Sequence, residues 1–384
     1  MLPVQENCSG CGACASSCPH NCIEMEPDNE GFRYPVVDYT RCVSCGLCEN
    51  VCPLLKKPAL SGNTYAVAAK NLDDEIRKDS SSGGVFSALA FYTLDKGGIV
   101  CAAIYDENQK VRHICIDQKS GIKAMRGAKY AQSEAEHCFS EIQEQLESGR
   151  YVLFVGTPCQ TAGLSAYLGQ SYDSLLLVDM ICHGVPSPKV WEKYLIDRTS
   201  IDAPESAISS INLRSKESGW SRYSYSVRID YENGTTYLSP QGQDLFMKGF
   251  VQNLYLRPSC SKCGFKGIER ISDLTLGDCW GIWDIAPDFD DNQGTSLLLI
   301  HSEKGKNVWD EISGSFRYMT MPDDQAVLQN PSAVRSSAPH PNRDCFFKSM
   351  ETTPSVVKLI QTSLFPKKKG LFEQIIMQIR KMKR

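Results

Sequence analysis

Residues 8–19 read CSGCGACASSCP and residues 42–53 read CVSCGLCENVCP. Each stretch has the spacing Cys-x2-Cys-x2-Cys-x3-Cys-Pro, and the second repeats the first at an offset of 34 residues. Bacterial proteins that hold two 4Fe–4S clusters use this spacing, and the fourth cysteine of each run ligates the other cluster. The sequence therefore predicts two such clusters in a small ferredoxin-like module.

The crossed ligation divides eight cysteines into two sets. Cluster one is assigned Cys8, Cys11, Cys14 and Cys52. Cluster two is assigned Cys42, Cys45, Cys48 and Cys18. Zinc sites use pairs of Cys-x2-Cys rather than runs of four with a trailing proline, so the repeat argues against a zinc ribbon. Cys22 is interpreted as a buried thiol beside a cluster rather than as a ligand.

The composition restricts the class of protein. A length of 384 residues predicts two or three domains, and 42% hydrophobic residues are enough for a globular core. The net charge of −4 argues against a nucleic-acid-binding protein. Half of the 18 cysteines lie in the first 52 residues, which indicates local metal chemistry rather than a disulfide scaffold. With no signal sequence or long apolar run, we expect a cytoplasmic protein.

Predicted strands and helices alternate after the cysteine-rich module, which indicates a mixed α/β sheet. Strands are predicted at 65–70, 98–105, 111–117, 151–156, 174–184 and 294–302. Helices are predicted at 84–94, 133–149, 157–169, 186–198 and 303–313. Ser133 is the predicted cap of the second helix. Alternating polarity from about 205 to 240 indicates an added antiparallel part, and the remainder to 365 is interpreted as irregular.

Two motifs at predicted strand ends suit an anionic or ring-shaped ligand. SSSGGVF, residues 80–86, opens a helix, and free N–H groups at a helix N-terminus suit a cofactor diphosphate. The alternative is a buried helix capped by serine. MRGAKYAQS, residues 125–133, offers Arg126 and Lys129 to phosphates and Tyr130 to a ring, or is a charged loop before a helix.

Two further motifs, GTPCQTAG (156–163) and DMICHGVPSP (179–188), each place a cysteine after a buried strand, and CSKCGF adds a Cys-x2-Cys pair. Together they supply four ligands for a third 4Fe–4S cluster: Cys159, Cys182, Cys260 and Cys263. A redox dithiol or half a zinc site is the alternative for the pair. Cys279 in LTLGDCWG is a competing fourth ligand, and His183 is interpreted as a loop histidine hydrogen-bonded to backbone. The remaining cysteines are interpreted as packing: Cys101, Cys115, Cys138 and Cys345.

Taken in order, SSGGVFSALA, RGAKYAQS, GTPCQTAGL, DMICHGVPSP and CSKCGF followed by DLTLGDCWG resemble the coenzyme F420 hydrogenase/dehydrogenase beta-subunit family. The resemblance runs from about Tyr65 to about Trp283, with HPNR at 340–343 as a weaker echo. It implies a mixed α/β domain that binds FAD and holds its own 4Fe–4S cluster. In several members of the family the two-electron carrier is the deazaflavin coenzyme F420.

The resemblance also implies roles for single residues. By motif, Ser82, Gly83 and Gly84 line the FAD, and Lys129 lies near its phosphates or ring. The same resemblance assigns the third cluster to the four cysteines named above. Cys279 departs from the family pattern, which has an aromatic residue there, and this leaves open whether it replaces a ligand.

These inferences define an expected α+β organisation: a two-cluster ferredoxin module, a linker, an FAD and iron–sulfur domain, and a basic amphipathic tail. The predicted boundaries are 1–56, 57–64, 65–365 and 366–384. The tail, PKKKGLFEQIIMQIRKMKR, has one apolar helical face flanked by lysine and arginine. Such a helix can lie on an anionic membrane or a partner, which would make the protein peripheral to the membrane, or can be an inert tail.

The expected function is that of an iron–sulfur flavoprotein oxidoreductase. Single electrons from ferredoxin or a partner subunit pass through 4Fe–4S clusters to FAD, which then reduces an organic substrate or a deazaflavin by two electrons. The alternative is a non-catalytic electron-transfer subunit of a larger hydrogenase or dehydrogenase complex. The fused ferredoxin module favours the first, because it supplies the electron input that a beta subunit otherwise takes from partners.

Overall fold

The N-terminal module is built as an internal repeat. The computed structural model describes residues 2–60, 65–221 and 224–365. Helix α1 (Ala13–Ser16) and helix α2 (Leu47–Asn50) each begin after a left-handed glycine, Gly12 with φ 78° and Gly46 with φ 75°. Glycine adopts this backbone without strain, so the chain can turn sharply between successive cysteines. The antiparallel strands β1 (Ile23–Pro27) and β2 (Arg33–Val37) lie between the two helices.

A mixed eight-stranded sheet organises the rest of the described chain. The remaining strands are β3 (Tyr65–Asn71), β4 (Ile99–Tyr105), β5 (Val111–Ile116), β6 (Val152–Val155), β7 (Leu175–Met180), β8 (Ile208–Ser215), β9 (Ser226–Tyr231), β10 (Thr236–Pro240), β11 (Leu274–Asp278), β12 (Ser296–Ile300) and β13 (Phe316–Met321). The order in the large sheet is β13-β3-β12-β11-β7-β6-β4-β5. Strands β11, β7, β6 and β4 are parallel, and antiparallel strands continue the sheet on both sides. A separate antiparallel sheet has the order β10-β9-β8.

Helices cover both faces of the large sheet. They are α3 (Asp74–Lys78), α4 (Val85–Asp95), α5 (Ile122–Met125), α6 (Phe139–Glu147), α7 (Pro158–Leu168), α8 (Pro188–Asp202), α9 (Leu245–Val251), α10 (Ile282–Ile285), α11 (Glu303–Ile312), α12 (Asp323–Leu328), α13 (Arg343–Met350) and α14 (Val356–Leu364). One apolar cluster joins Leu89 of α4 and Trp309 of α11 to the sheet, and another joins Phe139 of α6 to Phe154. Burial from both sides explains why β6 and β7 are almost continuously hydrophobic.

Most predicted elements are present, and three expectations are wrong. The helix expected from 133 begins only at Phe139, because the Ser133 hydroxyl contacts His113 Nδ1 at 2.5 Å instead of capping a helix. The strand expected to reach 184 ends at Met180. The part interpreted as irregular contains β13 and the helices α12 to α14, each only six to nine residues long.

A buried arginine connects the module to the rest of the protein. Arg257 is 1% exposed. Its Nε donates to the Cys8 carbonyl at 2.8 Å, and its Nη2 donates to the Arg33 carbonyl at 2.9 Å. Its Nη1 donates to Gln132 Oε1 at 2.7 Å, and the guanidinium lies 4.2 Å from the ring centre of Tyr34. Every nitrogen of this guanidinium therefore has an acceptor, and two of the three acceptors belong to the module.

Two ion pairs surround this contact. Arg33 of the module lies 2.6 Å from Glu136 Oε1, a carboxylate that is almost fully buried. Both terminal nitrogens of the Arg343 guanidinium donate to the Glu30 carboxylate of the module, Nη1 at 3.0 Å to Oε1. Bidentate pairing fixes orientation as well as distance. The module therefore has a defined position on the mixed sheet domain.

Two predicted segments are outside this description. Residues 61–64 of the predicted linker and the predicted amphipathic tail at 366–384 lie outside the described residues. Among the residues that are described, no helix has the length and hydrophobicity needed to cross a membrane.

We expect Arg257→Met to lower the free energy of unfolding by about 3 kcal/mol, because three buried acceptors would lose a charged donor. Arg150→Met removes a partly exposed arginine and is the matched control, with a change of about 0.5 kcal/mol or less. Urea unfolding followed by circular dichroism measures both. Equal stability of the Arg257→Met protein and the control would contradict the connecting role.

Candidate functional site

The four cysteines assigned to cluster one line a single cavity. Three of them come from the first run and one from the second: Cys8, Cys11, Cys14 and Cys52. The cavity encloses about 350 Å³, and Met25 and Pro35 of the hairpin complete its wall. The structure thus brings together the crossed set that the spacing predicts. Burial raises the pKa of the Cys11 thiol to about 12, and the neighbouring cysteines add to that increase.

The cysteines assigned to cluster two lie nearer the surface. Cys45 is exposed, whereas Cys42 and Cys48 are half-buried. Cys18 packs in the same apolar cluster as Cys42 and Cys48. Its sulfur lies 3.3 Å from the sulfur of Cys22, which is buried as expected. Cys22 therefore contacts a predicted ligand directly.

A second cavity is lined by the four cysteines assigned to the third cluster. They are Cys159, Cys182, Cys260 and Cys263. This cavity encloses about 590 Å³ and lies at the carboxyl end of β7, where loops from several elements meet. Segments separated by up to 104 positions in the sequence (Cys159 to Cys263) thus supply one set of thiols.

Local structure fixes each of these thiols. Cys159 is the second residue of α7, a helix that begins with a Thr157–Gln160 capping box. The hydroxyl of Thr157 also contacts Cys159 Sγ at 3.2 Å, which favours the thiolate. On the opposite side, the N–H of Cys260 donates to the carbonyl of Arg257 at 3.0 Å. The arginine that binds the Cys8 carbonyl therefore also positions a ligand of the third set.

Basic side chains line the third cavity. Lys266 donates to the carbonyl of Cys182 and, at 2.6 Å, to that of Ser332. Arg270 also lines the cavity, and both cations lower the pKa of the Cys182 thiol against the larger opposing effect of burial. Burial raises the pKa of Cys260 to about 12. Thiols that bind metal must lose a proton, so nearby positive charge favours ligation.

The first and third sets of thiols each surround a cavity with four sulfurs. An iron–sulfur cluster is held by four cysteine thiolates spread around it, so both cavities fit such a group. The zinc alternative for the Cys260–Cys263 pair requires tetrahedral ligation of one ion.

The two cavities are neighbours. Ser9 and Leu54 line both of them. Helix α7 packs directly on the module at Gly163, where an added Cβ would lie 2.8 Å from Cys11 Cβ and 3.0 Å from Cys11 Sγ. Glycine at this position therefore allows the closest approach between the helix that carries Cys159 and the first set of ligands.

The other cysteines lie apart from these sets. Cys279 is buried in a separate apolar cluster with its sulfur 3.3 Å from Met321 Sδ, so it is not placed to compete as a fourth ligand. Cys101 and Cys115 face each other in β4 and β5 and form a disulfide, which the interpretation as simple packing missed. His183 contacts Asn253 Oδ1 through Nε2 at 2.6 Å and Ser332 Oγ through Nδ1 at 3.3 Å, and it also has the expected backbone partner, at Phe250.

The serine–glycine motif lies at the N-terminus of α4. The first residue before the helix is Gly84, with φ 90° and no side-chain cap, so the alternative of a serine-capped helix is wrong. Gly83 packs on two strands, and an added Cβ would lie 2.2 Å from the Ala69 carbonyl oxygen. Ser82 donates to the Thr295 carbonyl at 3.0 Å. Packing alone thus explains Gly83, while Gly84 leaves the helix terminus without a capping side chain.

Lys129 lies in a loop held against this motif. The N–H of Ala128 donates to Ser81 Oγ at 2.7 Å, which joins the two loops. The ammonium group of Lys129 donates to the carbonyls of Arg126 at 2.8 Å and Gly127 at 3.1 Å. Burial lowers its pKa to about 7. The structure therefore brings Lys129 to the predicted ligand region, although its hydrogen bonds remain within its own loop.

Sequence reasoning missed two arginines near these sites. Arg257 has no motif, and only its position just before the Cys-x2-Cys pair could have indicated a role. Arg214 lies in β8 and forms an ion pair with Asp278 at 2.9 Å. Long-range contacts of this kind leave no periodic signal in a sequence.

Gly163→Ala tests the contact between α7 and the module. Because the new methyl group overlaps Cys11, we expect a loss of about 1–3 kcal/mol in unfolding free energy together with lower iron retention. Gly242→Ala makes the same chemical change where nothing lies within 4 Å of the added Cβ. Iron analysis and urea unfolding of both variants give the answer, and identical results for the two would contradict the close approach.

Lys129→Met tests the burial of the ammonium group through the pH dependence of the free energy of unfolding. Between about pH 7 and 10.5 the unfolded chain holds a proton that the folded chain lacks, so this residue makes stability rise with pH. The variant should therefore be stabilised most at pH 7, and the gain should shrink towards pH 10. Lys123→Met, at an exposed position, should show no such trend. Urea unfolding at pH 7 and 9.5 tests this, and an equal gain at both values would refute it.

Comparisons with known proteins agree on the family. The coenzyme F420 hydrogenase/dehydrogenase beta-subunit family matches residues 66–138 with its N-terminal part and 149–325 with its C-terminal part. The 4Fe-4S dicluster domain matches residues 7–54. The described chain is thus a mixed α/β protein with an N-terminal 4Fe–4S domain.

Individual relatives match over shorter lengths. A subunit of the F(420)H(2) dehydrogenase of Methanosarcina mazei is 24% identical over 166 residues, 40% of this chain and 46% of that protein. The Rpo3 protein of the DNA-directed RNA polymerase of the same organism is 43% identical over 49 residues, 13% of this chain and 18% of that protein. The matches therefore span less than half of these relatives.

Among solved structures, a chain from the F420-reducing [NiFe] hydrogenase complex of Methanosarcina barkeri is similar with a TM-score of 0.44 and 17% identity. The similarity covers 82% of this chain and 95% of that chain. The two parts of the beta-subunit family together account for most of the sequence between Ala66 and Gln325. This chain belongs to the coenzyme F420 hydrogenase/dehydrogenase beta-subunit family.

Proposed function

We propose that this protein is an iron–sulfur electron-transfer subunit of a larger oxidoreductase complex. The proposal depends on two neighbouring thiol-lined cavities that share Ser9 and Leu54. It is supported by the family, whose name is that of a beta subunit, and by a relative that is itself named as a dehydrogenase subunit. These comparisons favour the electron-transfer subunit over a free-standing flavoenzyme.

The exposure of the three cysteine sets suggests an order for electron transfer. Cys45 of the second set reaches the surface, whereas the first set is mostly buried and lines a cavity that borders the third. Val43 and Leu47 beside Cys45 are exposed apolar side chains, a surface that a ferredoxin or a partner subunit would cover. Each 4Fe–4S cluster, when bound, supplies one-electron chemistry. We place electron exchange with the partner at this end of the molecule.

A finer proposal adds FAD as the converter between single electrons and electron pairs. Two features fit such a group: the uncapped N-terminus of α4 after Gly84, and the cations of half-buried Lys129 and buried Arg214. A helix N-terminus suits a diphosphate, and cations suit a ring that becomes negatively charged on reduction. The protein would then be an oxidoreductase that acts on an organic substrate or a deazaflavin.

The two proposals, an electron-transfer subunit and a free-standing FAD enzyme, predict different activities for the isolated chain. A free-standing enzyme would reduce coenzyme F420 or another small molecule with reduced ferredoxin alone. A subunit would instead copurify from its host with a hydrogenase or dehydrogenase subunit. Size-exclusion chromatography and mass spectrometry of protein isolated without oxygen separate these outcomes, and a monomer with full activity would exclude the subunit role.

Iron analysis tests the third set of ligands. We expect about twelve irons per chain from three four-iron clusters and about eight in Cys260→Ala, because one cluster loses a thiolate. Cys279→Ala removes a buried thiol outside the cavity and should keep about twelve. The measurement is iron per chain after anaerobic purification, with electron paramagnetic resonance of the reduced protein. A Cys260→Ala protein with as much iron as the unsubstituted chain would refute the assignment.

A further inference from the structure

Arg214 near the end of β8 is buried, 9% exposed, and incompletely hydrogen-bonded. Its Nη1 lies 2.9 Å from Asp278 Oδ2 and donates to the hydroxyl of Tyr130 at 3.2 Å. Its Nε and Nη2 have no acceptor among the described residues. Leaving buried donors of a charged group without acceptors is costly, so two nitrogens on one guanidinium indicate a ligand that accepts from them.

Aromatic rings surround the same guanidinium. Its carbon lies 4.5 Å from the ring centre of Trp220, 4.7 Å from that of Tyr225 and 5.3 Å from that of Trp280. Such rings stabilise the cation through its faces, whereas its N–H bonds point outward in its plane. The rings therefore do not replace the missing acceptors. They provide instead an apolar surface on which a planar ligand can stack.

The surroundings carry more positive than negative charge. Lys216 donates to the Ser82 carbonyl at 2.8 Å and forms no ion pair with any described carboxylate. Arg77 and Lys70 share one carboxylate, Asp291. Four cations, with Arg214 among them, are thus paired with only two carboxylates. This excess favours a ligand with an anionic part close to the Ser82 loop.

A row of aromatic rings connects the surroundings of Arg214 to the third cavity. The ring of Tyr130, whose hydroxyl binds Arg214, lies 4.6 Å from that of Phe250. The ring of Phe250 lies 5.0 Å from that of His183, which follows Cys182 directly. This row of rings would therefore connect a ring bound at Arg214 to the loop that carries Cys182.

We propose that Arg214, with Trp220, Tyr225 and Trp280, binds the pyrimidinedione edge of a flavin-type ring. The free Nε and Nη2 would donate to its carbonyl oxygen and adjacent ring nitrogen, and the aromatic side chains would contact its face. FAD and the deazaflavin coenzyme F420 share this edge. The assignment rests on the flavin part of the proposed function and identifies residues that the serine–glycine and lysine motifs do not contain.

Binding of FAD and of coenzyme F420 to flavin-depleted protein tests the assignment. Arg214→Lys keeps the charge and the contact with Asp278 but removes the planar pair of donors, so we expect at least tenfold weaker binding of the ligand that occupies this place. Arg198→Lys is the matched control, because Arg198 also pairs with an aspartate, Asp202, and lies 4.2 Å from a tyrosine ring centre. Its binding constant should stay within twofold of the unsubstituted protein.

Trp280→Phe gives a second measurement that does not depend on the arginine. Tryptophan against a flavin face quenches its fluorescence, so the bound ligand should become several-fold brighter in this variant, with iron content unchanged. Equal binding and equal fluorescence in all variants would overturn the assignment while the flavin proposal stands. An unsubstituted protein that binds neither FAD nor coenzyme F420 would overturn both. If Arg214→Lys loses the binding of FAD but not of coenzyme F420, FAD is the ligand at this site. If it loses the binding of coenzyme F420 but not of FAD, the deazaflavin is the ligand.

Discussion

The hydrogen bonds of one buried guanidinium hold the two parts of this protein together. Arg257 donates to the carbonyl of Cys8 in the module, while its own carbonyl accepts from the N–H of Cys260. One residue therefore sets the relative position of a ligand from the first cysteine set and a ligand from the third. A lysine could not replace the three side-chain hydrogen bonds of Arg257, because its donors all lie on one nitrogen and cannot reach acceptors on three sides of a plane.

Close packing reinforces the same constraint. Gly163 lets α7 approach Cys11, and Gly12 leaves room for Glu136, whose Cβ would lie 2.3 Å from an added methyl group. Glu136 in turn is paired with Arg33 of the module. Electron transfer depends on short distances between centres, so glycines and buried ion pairs at this junction would serve the proposed function as well as stability. The third cavity then combines enclosure with the positive charge of Lys266, which favours thiolates there.

Local signals in the sequence predicted much of this arrangement. Cysteine spacing predicted the crossed first set, because in repeated runs of this kind the fourth cysteine of each run ligates the other cluster. Apolar runs located strands such as β6 and β7. The roles of Arg257 and Arg214 could not be predicted, since their partners Cys8 and Asp278 lie 249 and 64 positions away. The disulfide between Cys101 and Cys115 was missed for a related reason, because its pairing depends on strand register.

The distribution of charge supports the proposal that the mixed sheet domain binds a flavin-type ring beside the third set of cysteines. Lys129 is half-buried and donates to carbonyls of its own loop, and Arg214 has nitrogens without acceptors among the described residues. Each arrangement is unfavourable for a protein that has only to fold, because desolvated cations lower stability. Lys129 precedes Tyr130 in the chain, and the hydroxyl of Tyr130 accepts from Arg214. Stability is therefore reduced where an electron-rich ligand would restore it, which is the pattern expected of a binding site rather than of a structural core.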